Sequence, residues 1–276
     1  AAQPIIPGSS KARLILGDGK VVELKDKAEQ TFTETDGTRV KSSAAVLSYS
    51  AAGTTDVPVY NTLEIPRGGE YRVVLPDSSV VWLNAASSLR FPTRFSGSTR
   101  EVYLSGEAYF EIAKNKSKPF IVSINNISVT VTGTQFNVKG YPDENYVNTT
   151  LVEGGVELRS NDNPAAKPVL LRPGYQGVWE NKKITVKEAY LEEALAWKNG
   201  LFVFRSEPIG SIMRKLSRWY DVEVQFQDTA VTDLRLTGTI RKYESIQKVL
   251  EMLALTQKVK FTIDDKNISV LKANNQ

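Results

Sequence analysis

Cysteine and histidine are both absent from this 276-residue sequence, and methionine occurs only twice. Without thiols or imidazoles, the chain cannot form disulfides, Cys/His zinc sites, thiolate nucleophiles or histidine-based catalytic triads. No apolar run approaches the roughly 18 residues that a membrane-spanning helix needs. The opening residues, AAQPIIPGSS, lack the charged and apolar regions of a signal peptide. Residues 1–10 are therefore predicted to be a linker that continues from a longer chain.

The charge and composition are those of a soluble globular protein. Lysine and arginine number 35 against 31 aspartates and glutamates, and this excess forms no block of like charge. No zinc-finger, RNA-binding or helix-turn-helix motif accompanies the excess, so the composition predicts a solvated surface and no nucleic-acid partner. The length suits about two domains of ordinary size.

The densest apolar pattern lies in residues 66–92, PRGGEYRVVLPDSSVVWLNAASSLRFP. Tyr71, Val73 and Leu75 share one face of an extended chain because strand side chains alternate. A Pro-Asp-Ser turn precedes a second alternating run at 80–83, so the stretch predicts a β-hairpin. Apolar residues on both faces favour a sandwich or a stacked coil of strands.

Short strands separated by Gly, Pro and Asn turns fill the first two-thirds of the chain. Residues 11–24 predict a hairpin with Gly-Asp-Gly at its turn. Residues 25–58 show one strand signal, near 46–49, in an otherwise irregular surface stretch. From 100 to 179 one strand signal follows another. The sequence therefore predicts a mainly β domain, a sandwich or solenoid-like antiparallel sheet, over 11–186.

Helical spacing replaces this pattern over residues 187–200, which predicts a connecting helix that ends at Gly200. Beyond it, strand and helix signals alternate, and two helix–strand segments match at an offset of 37 residues. The matched apolar residues are Ile209, Ile212, Met213, Leu216, Val222, Val224 and Phe226 in the first segment and Ile246, Val249, Leu250, Leu253, Val259, Phe261 and Ile263 in the second. Residues 201–276 are predicted to be a small α+β module with two similar β-α-β halves.

Candidate catalytic and metal-binding groups are few. Glu107 and Glu111 point the same way on a predicted strand, but about 13 Å would separate them, against about 5 Å or ~6.5–9.5 Å in glycosidase pairs. Asp228, Asp264 and Asp265 lack the spacing of a calcium loop. The sequence predicts no catalytic, cofactor-binding or metal site, and hence no enzyme.

Several motifs in the first two-thirds of the chain are distinctive. They are NTLEIPRGGEY from Asn61, LPDSSVVWLNAASSL from Leu75, LSGEAYFEIAKNKSK from Leu104, GTQFNV from Gly133 and LVEGGV from Leu151. Together they resemble the periplasmic region of FecR-type anti-sigma factors of the Bacteroidetes-like branch. WKNGLFVF from Trp197, SRWYDVEV from Ser217 and LTGTI from Leu236 are similar to the domain that follows in that branch, which itself resembles the short N-terminal domain of secretins and TonB-dependent receptors.

The resemblance implies a transmembrane signal relay without cofactors. In such systems the signalling domain of an outer-membrane TonB-dependent receptor contacts the FecR-like protein in the periplasm. That protein spans the inner membrane and controls an extracytoplasmic-function (ECF) sigma factor. The sigma-binding region and the membrane helix are expected to precede residue 1, so this chain is expected to be the periplasmic sensor alone.

We expect the receptor domain to dock on residues 201–276 by adding a strand to a free sheet edge. The candidate contacts are two short strands and two rings at a helix end: Leu201, Phe202, Val203, Phe204, Leu234, Leu236, Ile240, Trp219 and Tyr220. The alternative is a carbohydrate-binding or glycan-processing β domain with an α+β appendage. In that case the strand aromatics would form a sugar platform, although aromatic residues in strands are usually core.

Overall fold

A computed structural model describes residues 4–25, 29–50 and 59–273. These residues divide into two compact units. Residues 10–194 form the larger one, here called the β unit, and residues 4–9 together with 195–273 form the smaller one, here called the C-terminal unit. In the described residues no helix has the length and apolar character needed to cross a membrane.

Short strands make up the β unit, as predicted. In chain order they are β1 (Ser9–Ile15), β2 (Val21–Lys25), β3 (Gln30–Thr33), β4 (Arg39–Ser43), β5 (Val46–Ser50), β6 (Tyr60–Ile65), β7 (Gly69–Val74), β8 (Val80–Leu83), β9 (Ser87–Pro92), β10 (Arg100–Glu111), β11 (Phe120–Ile124), β12 (Ile127–Val131), β13 (Gln135–Gly140), β14 (Tyr146–Glu153), β15 (Val156–Ser160), β16 (Val169–Leu171), β17 (Tyr175–Glu180) and β18 (Lys183–Glu188). The prediction of a mainly β chain is confirmed.

The strands pair in two layers. The first layer has the order β2-β1-β6-β9-β10-β11-β12-β15-β16, and the second has the order β3-β4-β5-β7-β8-β10-β13-β14-β17-β18. From β11 onward, successive hairpins alternate between the layers. Strand β10 belongs to both, because its first residues pair with β9 and β11 and its last residues pair with β8 and β13.

One hydrophobic cluster fills the β unit, with side chains from both layers. The strands that line it alternate buried and half-buried residues, as in β6, β11 and β12. At its centre, the Phe110 ring stacks on Phe136 with 5.0 Å between centroids and lies 6.4 Å from Phe120. All three rings are fully buried, and each side chain of this size contributes about 1.5–3 kcal/mol by leaving water.

Gly106 allows β10 to pass from one layer to the other. Its φ is +99°, a conformation that side chains disfavour, and a Cβ there would lie 2.4 Å from Ser87 Oγ. Ser87 Oγ also accepts a hydrogen bond of 2.9 Å from the backbone N–H of Glu107. The glycine is therefore required both by its backbone angle and by the close approach of Ser87.

Arg100, at the start of β10, is a buried cation that joins three segments. Its Nη1 donates to Asp77 Oδ2 at 2.6 Å and to Ala113 O at 2.9 Å, and its Nε donates to Lys118 O at 2.9 Å. Ser79 Oγ donates to the same Asp77 carboxylate at 2.8 Å and accepts from Ala113 N at 3.0 Å. The turn between β7 and β8 is thereby bound to the segment that follows β10.

Three strands occupy the stretch where the sequence predicted only one. The predicted strand is β5, but β3 and β4 pair with each other and β4 pairs with β5. Val40 and Leu47 are completely buried, so this stretch contributes to the core and the prediction of an irregular surface region was wrong. Residues 26–28 and 51–58 lie outside the described part of the chain.

The C-terminal unit combines two helices with two small sheets, and the short helix α1 lies at its boundary with the β unit. The elements from residue 191 onward are α1 (Leu191–Leu195), β19 (Leu201–Pro208), α2 (Ile209–Tyr220), β20 (Glu223–Phe226), a 3-10 turn (Thr229–Val231), β21 (Arg235–Arg241), α3 (Ile246–Ala254), β22 (Val259–Asp264) and β23 (Asn267–Lys272). Strands β19 and β21 form an antiparallel ribbon, and β20, β23 and β22 form a three-stranded sheet in that order. Within the range predicted for the connecting helix, β18 extends to Glu188 and α1 has five residues.

The helices α2 and α3 bury the apolar stripes that their sequences predicted. The buried side chains are Ile209, Ile212, Met213 and Leu216 on α2 and Ile246, Val249, Leu250 and Leu253 on α3. Helix α2 follows Pro208 and ends at Tyr220, and the next residue, Asp221, adopts a left-handed conformation. Helix α3 begins after Ser245, whose Oγ accepts a hydrogen bond from Lys248 N at 3.3 Å, as helix-capping serines do.

We expect the substitution Arg100→Met to lower the free energy of unfolding by about 3–5 kcal/mol, because it leaves the Asp77 carboxylate without its buried cation. The matched control is Arg159→Met, which removes an exposed pair with Glu157 and is expected to cost at most about 1 kcal/mol. Urea denaturation monitored by circular dichroism measures both. Equal losses in the two variants would contradict the role assigned to Arg100.

Candidate partner-binding surface

The two strand carboxylates considered for catalysis have different surroundings. Glu107 accepts hydrogen bonds from the side-chain amides of Asn84 at 2.9 Å and Asn137 at 3.1 Å. Glu111 lines a shallow depression of about 260 Å³ that Glu153 also borders. Four positions along a strand place the two residues about 13 Å apart. The arrangement fixes Glu107 within the sheet and does not bring the two carboxylates together.

Tyr109, two residues before Glu111, is hydrogen-bonded to the neighbouring strand. Burial raises the pKa of Tyr109 to about 12, and the nearby Glu111 and Glu153 charges add to the effect. The hydroxyl donates to Gln135 Oε1 at 2.9 Å, so at neutral pH the phenol is a protonated hydrogen-bond donor that joins β10 to β13.

Of the five strand aromatics that could form a sugar platform, three are buried, Trp82 is half-buried and Tyr103 is partly exposed. Tyr71, Tyr109 and Phe110 are at most 4% exposed. Tyr103 is 38% exposed, and the Arg90 guanidinium lies 5.3 Å from its ring centroid. Most of these rings therefore contribute to the core.

The acidic residues that the structure describes do not cluster as a metal site would require. Among residues 4–25, 29–50 and 59–273, no group of three or more Asp and Glu side chains is placed to hold a metal ion. Asp228, which the sequence raised as a candidate, instead accepts a hydrogen bond of 2.8 Å from Ala230 N and caps the 3-10 turn.

The two predicted contact rings at the end of α2 are buried. Trp219 is 1% exposed and Tyr220 is 2% exposed. Trp219 Nε1 donates to Lys242 O at 2.7 Å, and Tyr220 OH donates to Glu244 O at 2.8 Å. Burial, followed by the nearby Glu244 charge, raises the pKa of Tyr220. Both rings therefore hold α2 against the segment that follows β21.

A buried lysine covers one surface of Trp219. Lys242 is 1% exposed, and its Nζ lies 3.7 Å from the Trp219 ring centroid and 5.6 Å from the Trp197 ring centroid. The same Nζ donates to Trp197 O at 3.3 Å. A cation over an aromatic face is attracted by the ring quadrupole. No sequence signal distinguishes this lysine from a surface lysine.

Part of the predicted N-terminal linker also packs against Trp219. A Cβ at Gly8 would lie 2.6 Å from two carbons of the Trp219 ring, and Ile5 is 8% exposed. Residues 4–9 belong to the C-terminal unit. The segment is therefore a structural element of that unit, and Gly8 permits the close contact because it has no side chain.

The predicted contact residues on β19 and β21 mostly have buried side chains. Phe202, Val203, Phe204, Leu236 and Ile240 are at most 7% exposed. Leu201 and Leu234 are half-buried. These side chains contribute to the packing of the ribbon, so what a partner can reach along the two strands is their backbone edge.

Hydrogen bonds at the two ends of the ribbon show which groups form the edge of β21. Lys242 N donates to Gly200 O at 2.9 Å, and Ile209 N donates to Leu234 O at 2.8 Å. Hydrogen-bonded and non-hydrogen-bonded pairs alternate along an antiparallel ladder. The even-numbered residues of β21 therefore direct their N–H and C=O groups toward β19, and the odd-numbered residues direct theirs outward.

Within the part of the chain that the structure describes, no strand pairs with the outward edge of β21. At its first residue, Arg235 O accepts a hydrogen bond of 3.1 Å from Lys258 Nζ. Thr237, Thr239 and Arg241 follow, and all three are exposed; Arg241 O accepts a hydrogen bond of 3.3 Å from Glu244 N. We name the remaining outward backbone groups the β21 edge: the N–H groups of Arg235 and Arg241 and the N–H and C=O groups of Thr237 and Thr239.

Comparison with known proteins identifies the family. Residues 61–157 match the model for FecR protein, and residues 201–270 match the model for FecR, C-terminal. Two crystal structures of a candidate anti-sigma factor from Parabacteroides distasonis, at 1.65 Å and 2.50 Å, are each 28% identical with a TM-score of 0.71. The matches cover 77% and 78% of this chain and 99% and 100% of the two crystallised chains. No curated protein matches the sequence.

The chain belongs to the FecR family of anti-sigma factors. The resemblance to FecR-type anti-sigma factors that the motifs predicted is thus confirmed. The FecR match runs from β6 into β15, and the FecR C-terminal match begins at β19 and ends within β23. The ribbon and the β21 edge both lie inside the FecR C-terminal match.

In this FecR-family chain we expect Gly8→Ala to disturb the contact with Trp219, because the added methyl overlaps the ring. Overpacking of this kind costs about 1–3 kcal/mol. The control is Gly97→Ala, since a Cβ at Gly97 meets nothing within 4 Å. Urea denaturation measures stability, and the indole N–H resonance of Trp219 reports the contact. An unshifted resonance in Gly8→Ala would show that residues 4–8 do not rest on this ring in solution.

Proposed function

We propose that this chain is the periplasmic sensing part of a FecR-type regulator and that it acts by binding another protein, without catalysing a reaction. The family supports a regulatory role. The β21 edge carries the proposal, because an unpaired strand edge offers main-chain donors and acceptors to an incoming strand. Each hydrogen bond gained in this way contributes about 0.5–1.5 kcal/mol net.

The partner we propose is the signalling domain of an outer-membrane TonB-dependent receptor, as the resemblance implies. Its binding to the FecR C-terminal domain would pass the signal to an ECF sigma factor. The sigma factor would be reached through a cytoplasmic region and an inner-membrane helix that precede this part of the protein. In this scheme the β unit positions the C-terminal unit in the periplasm and has no substrate of its own.

We further propose that the FecR C-terminal domain is built from two related halves, similar to the short N-terminal domain of secretins and TonB-dependent receptors. The first half is β19-α2-β20 and the second is β21-α3-β22. Their helices begin 37 residues apart, at Ile209 and Ile246. Strand β21 is the first strand of the second half, and β22 is an edge of the three-stranded sheet.

Proline substitutions can test separately whether the partner binds the β21 edge or the outward edge of β22. Ala273 N donates to Lys258 O at 3.1 Å, so the same alternation places the N–H of Ile263 on the outward edge of β22. Proline removes one backbone donor and is tolerated where that donor faces solvent. Thr239→Pro therefore blocks the β21 edge, and Ile263→Pro blocks the β22 edge in a matched way.

We expect the full chain to bind one member of a panel of TonB-dependent receptor signalling domains, and Thr239→Pro to weaken that binding by about tenfold or more. Ile263→Pro is expected to bind like the unsubstituted chain. Isothermal titration calorimetry measures the affinities, and circular dichroism checks that both variants fold. Absence of binding across the panel would overturn the proposed function, and loss of binding only in Ile263→Pro would move the site to β22.

A further inference from the structure

The net positive charge of the protein is confined to one end of the sequence. Residues 195–276 contain 13 lysines and arginines against 9 aspartates and glutamates, whereas residues 1–194 contain 22 of each. The whole net charge of +4 therefore comes from the segment that holds β21. A positively charged surface favours encounter with a negatively charged partner.

Arginines stand at both ends of the β21 edge. Arg235 and Arg241 are exposed; Arg235 Nη1 donates to the backbone carbonyl of Ser206 at 2.6 Å, and Arg241 forms no ion pair with any residue that the structure describes. Two carboxylates close to β21 in the sequence are already paired with lysines: Glu207 lies 2.8 Å from Lys215 Nζ, and Glu244 lies 2.9 Å from Lys248 Nζ. Positive charge at the edge is thus left for a partner.

A glycine at the centre of β21 leaves an open space on the strand face opposite the two arginine side chains. Leu236 and Ile240 are buried on one face of the strand, and Gly238 lies between them on that face. A Cβ at Gly238 would meet nothing within 4 Å, and its φ is not positive. Neither a turn nor a steric clash requires the glycine, and a mid-strand glycine costs about 0.5–1 kcal/mol. Such a glycine often marks a bulge or a place where a ligand or another backbone approaches closely; here the register of β19 shifts just after Phe204, the partner of Gly238, and the open space beside the glycine leaves room for an incoming chain.

From these observations we propose that the β21 edge accepts a seven-residue strand with a carboxylate at each end and a bulky apolar side chain at its centre. The proposal rests on the proposed function and specifies the partner's chemistry. Residues directly opposite each other in a sheet point to the same side. The terminal carboxylates would face Arg235 and Arg241, about 20 Å apart along the strand, and the central side chain would fill the space beside Gly238.

Peptides with blocked termini test this pattern on the full chain. The sequence EVTLTVE reads the same in both directions, so it presents the pattern to a parallel or an antiparallel pairing. The controls are KVTLTVK, which reverses the charge, and EVTGTVE, which removes the central side chain. We expect EVTLTVE to shift the amide resonances of residues 235–241 in two-dimensional NMR spectra. Each control peptide is expected to bind about tenfold more weakly.

Two protein variants complete the experiment. Gly238→Val, whose Cβ would meet nothing within 4 Å, fills the open space and is expected to abolish binding of EVTLTVE. Arg241→Glu is expected to reduce the preference for EVTLTVE over KVTLTVK, and raising the salt concentration from about 0.05 M to about 0.5 M is expected to weaken EVTLTVE binding by screening. Both variants should keep the circular dichroism spectrum of the unsubstituted chain.

Several outcomes would overturn the proposal. Equal affinity for EVTLTVE and KVTLTVK would remove the role of charge, and equal affinity for EVTGTVE would remove the role of Gly238. Shifts at residues 259–264, or no binding at about 5 mM peptide, would remove the β21 edge as the acceptor. Binding to vesicles of anionic lipid that competes with EVTLTVE would assign the charge to a membrane surface. A receptor domain that binds the chain while the peptides fail would sustain the proposed function and reject only this inference.

Discussion

Strand β10 is the constraint on which the β unit depends, because its backbone hydrogen bonds belong to both layers. A strand shared in this way fixes the register of one layer against the other, since moving it by one residue would turn every side chain to the opposite face. Gly106 permits the passage, and the buried Arg100 holds the start of the strand to the turn before β8 and to the segment after Glu111. The FecR match, residues 61–157, is centred on this arrangement.

Alternating apolar residues and helical stripes were sufficient to predict the hairpins β1–β2 and β7–β8 and the buried faces of α2 and α3. Strands β3 and β4 were missed because residues 30–43 are mostly Thr, Ser, Lys and Arg, with Phe32 and Val40 as the apolar exceptions. Strand formation there depends on pairing with neighbouring strands more than on intrinsic propensity. Lys242 was missed for a related reason, because the sequence does not distinguish a buried lysine from a solvent-exposed one.

For the candidate surface, the sequence predicted the strand but not the groups that a partner can reach. The motif LTGTI located β21, and its apolar residues were natural candidates for a contact. In the folded chain those side chains support the ribbon from inside, and the groups open to a partner are backbone amides and carbonyls of the residues between them. Which backbone groups point outward depends on the side on which β19 pairs, and that information lies some 30 residues away in the sequence.

The packing of residues 4–9 against Trp219 makes the C-terminal unit discontinuous, with the whole β unit inserted between its two pieces. In an unfolded chain, bringing those pieces together would close a loop of residues 10–194, at an entropic cost on the order of 4–5 kcal/mol. Folding of the β unit shortens that loop before it must close. The chain is therefore expected to fold in a definite order, with the middle of the sequence first and the joining of its two ends last.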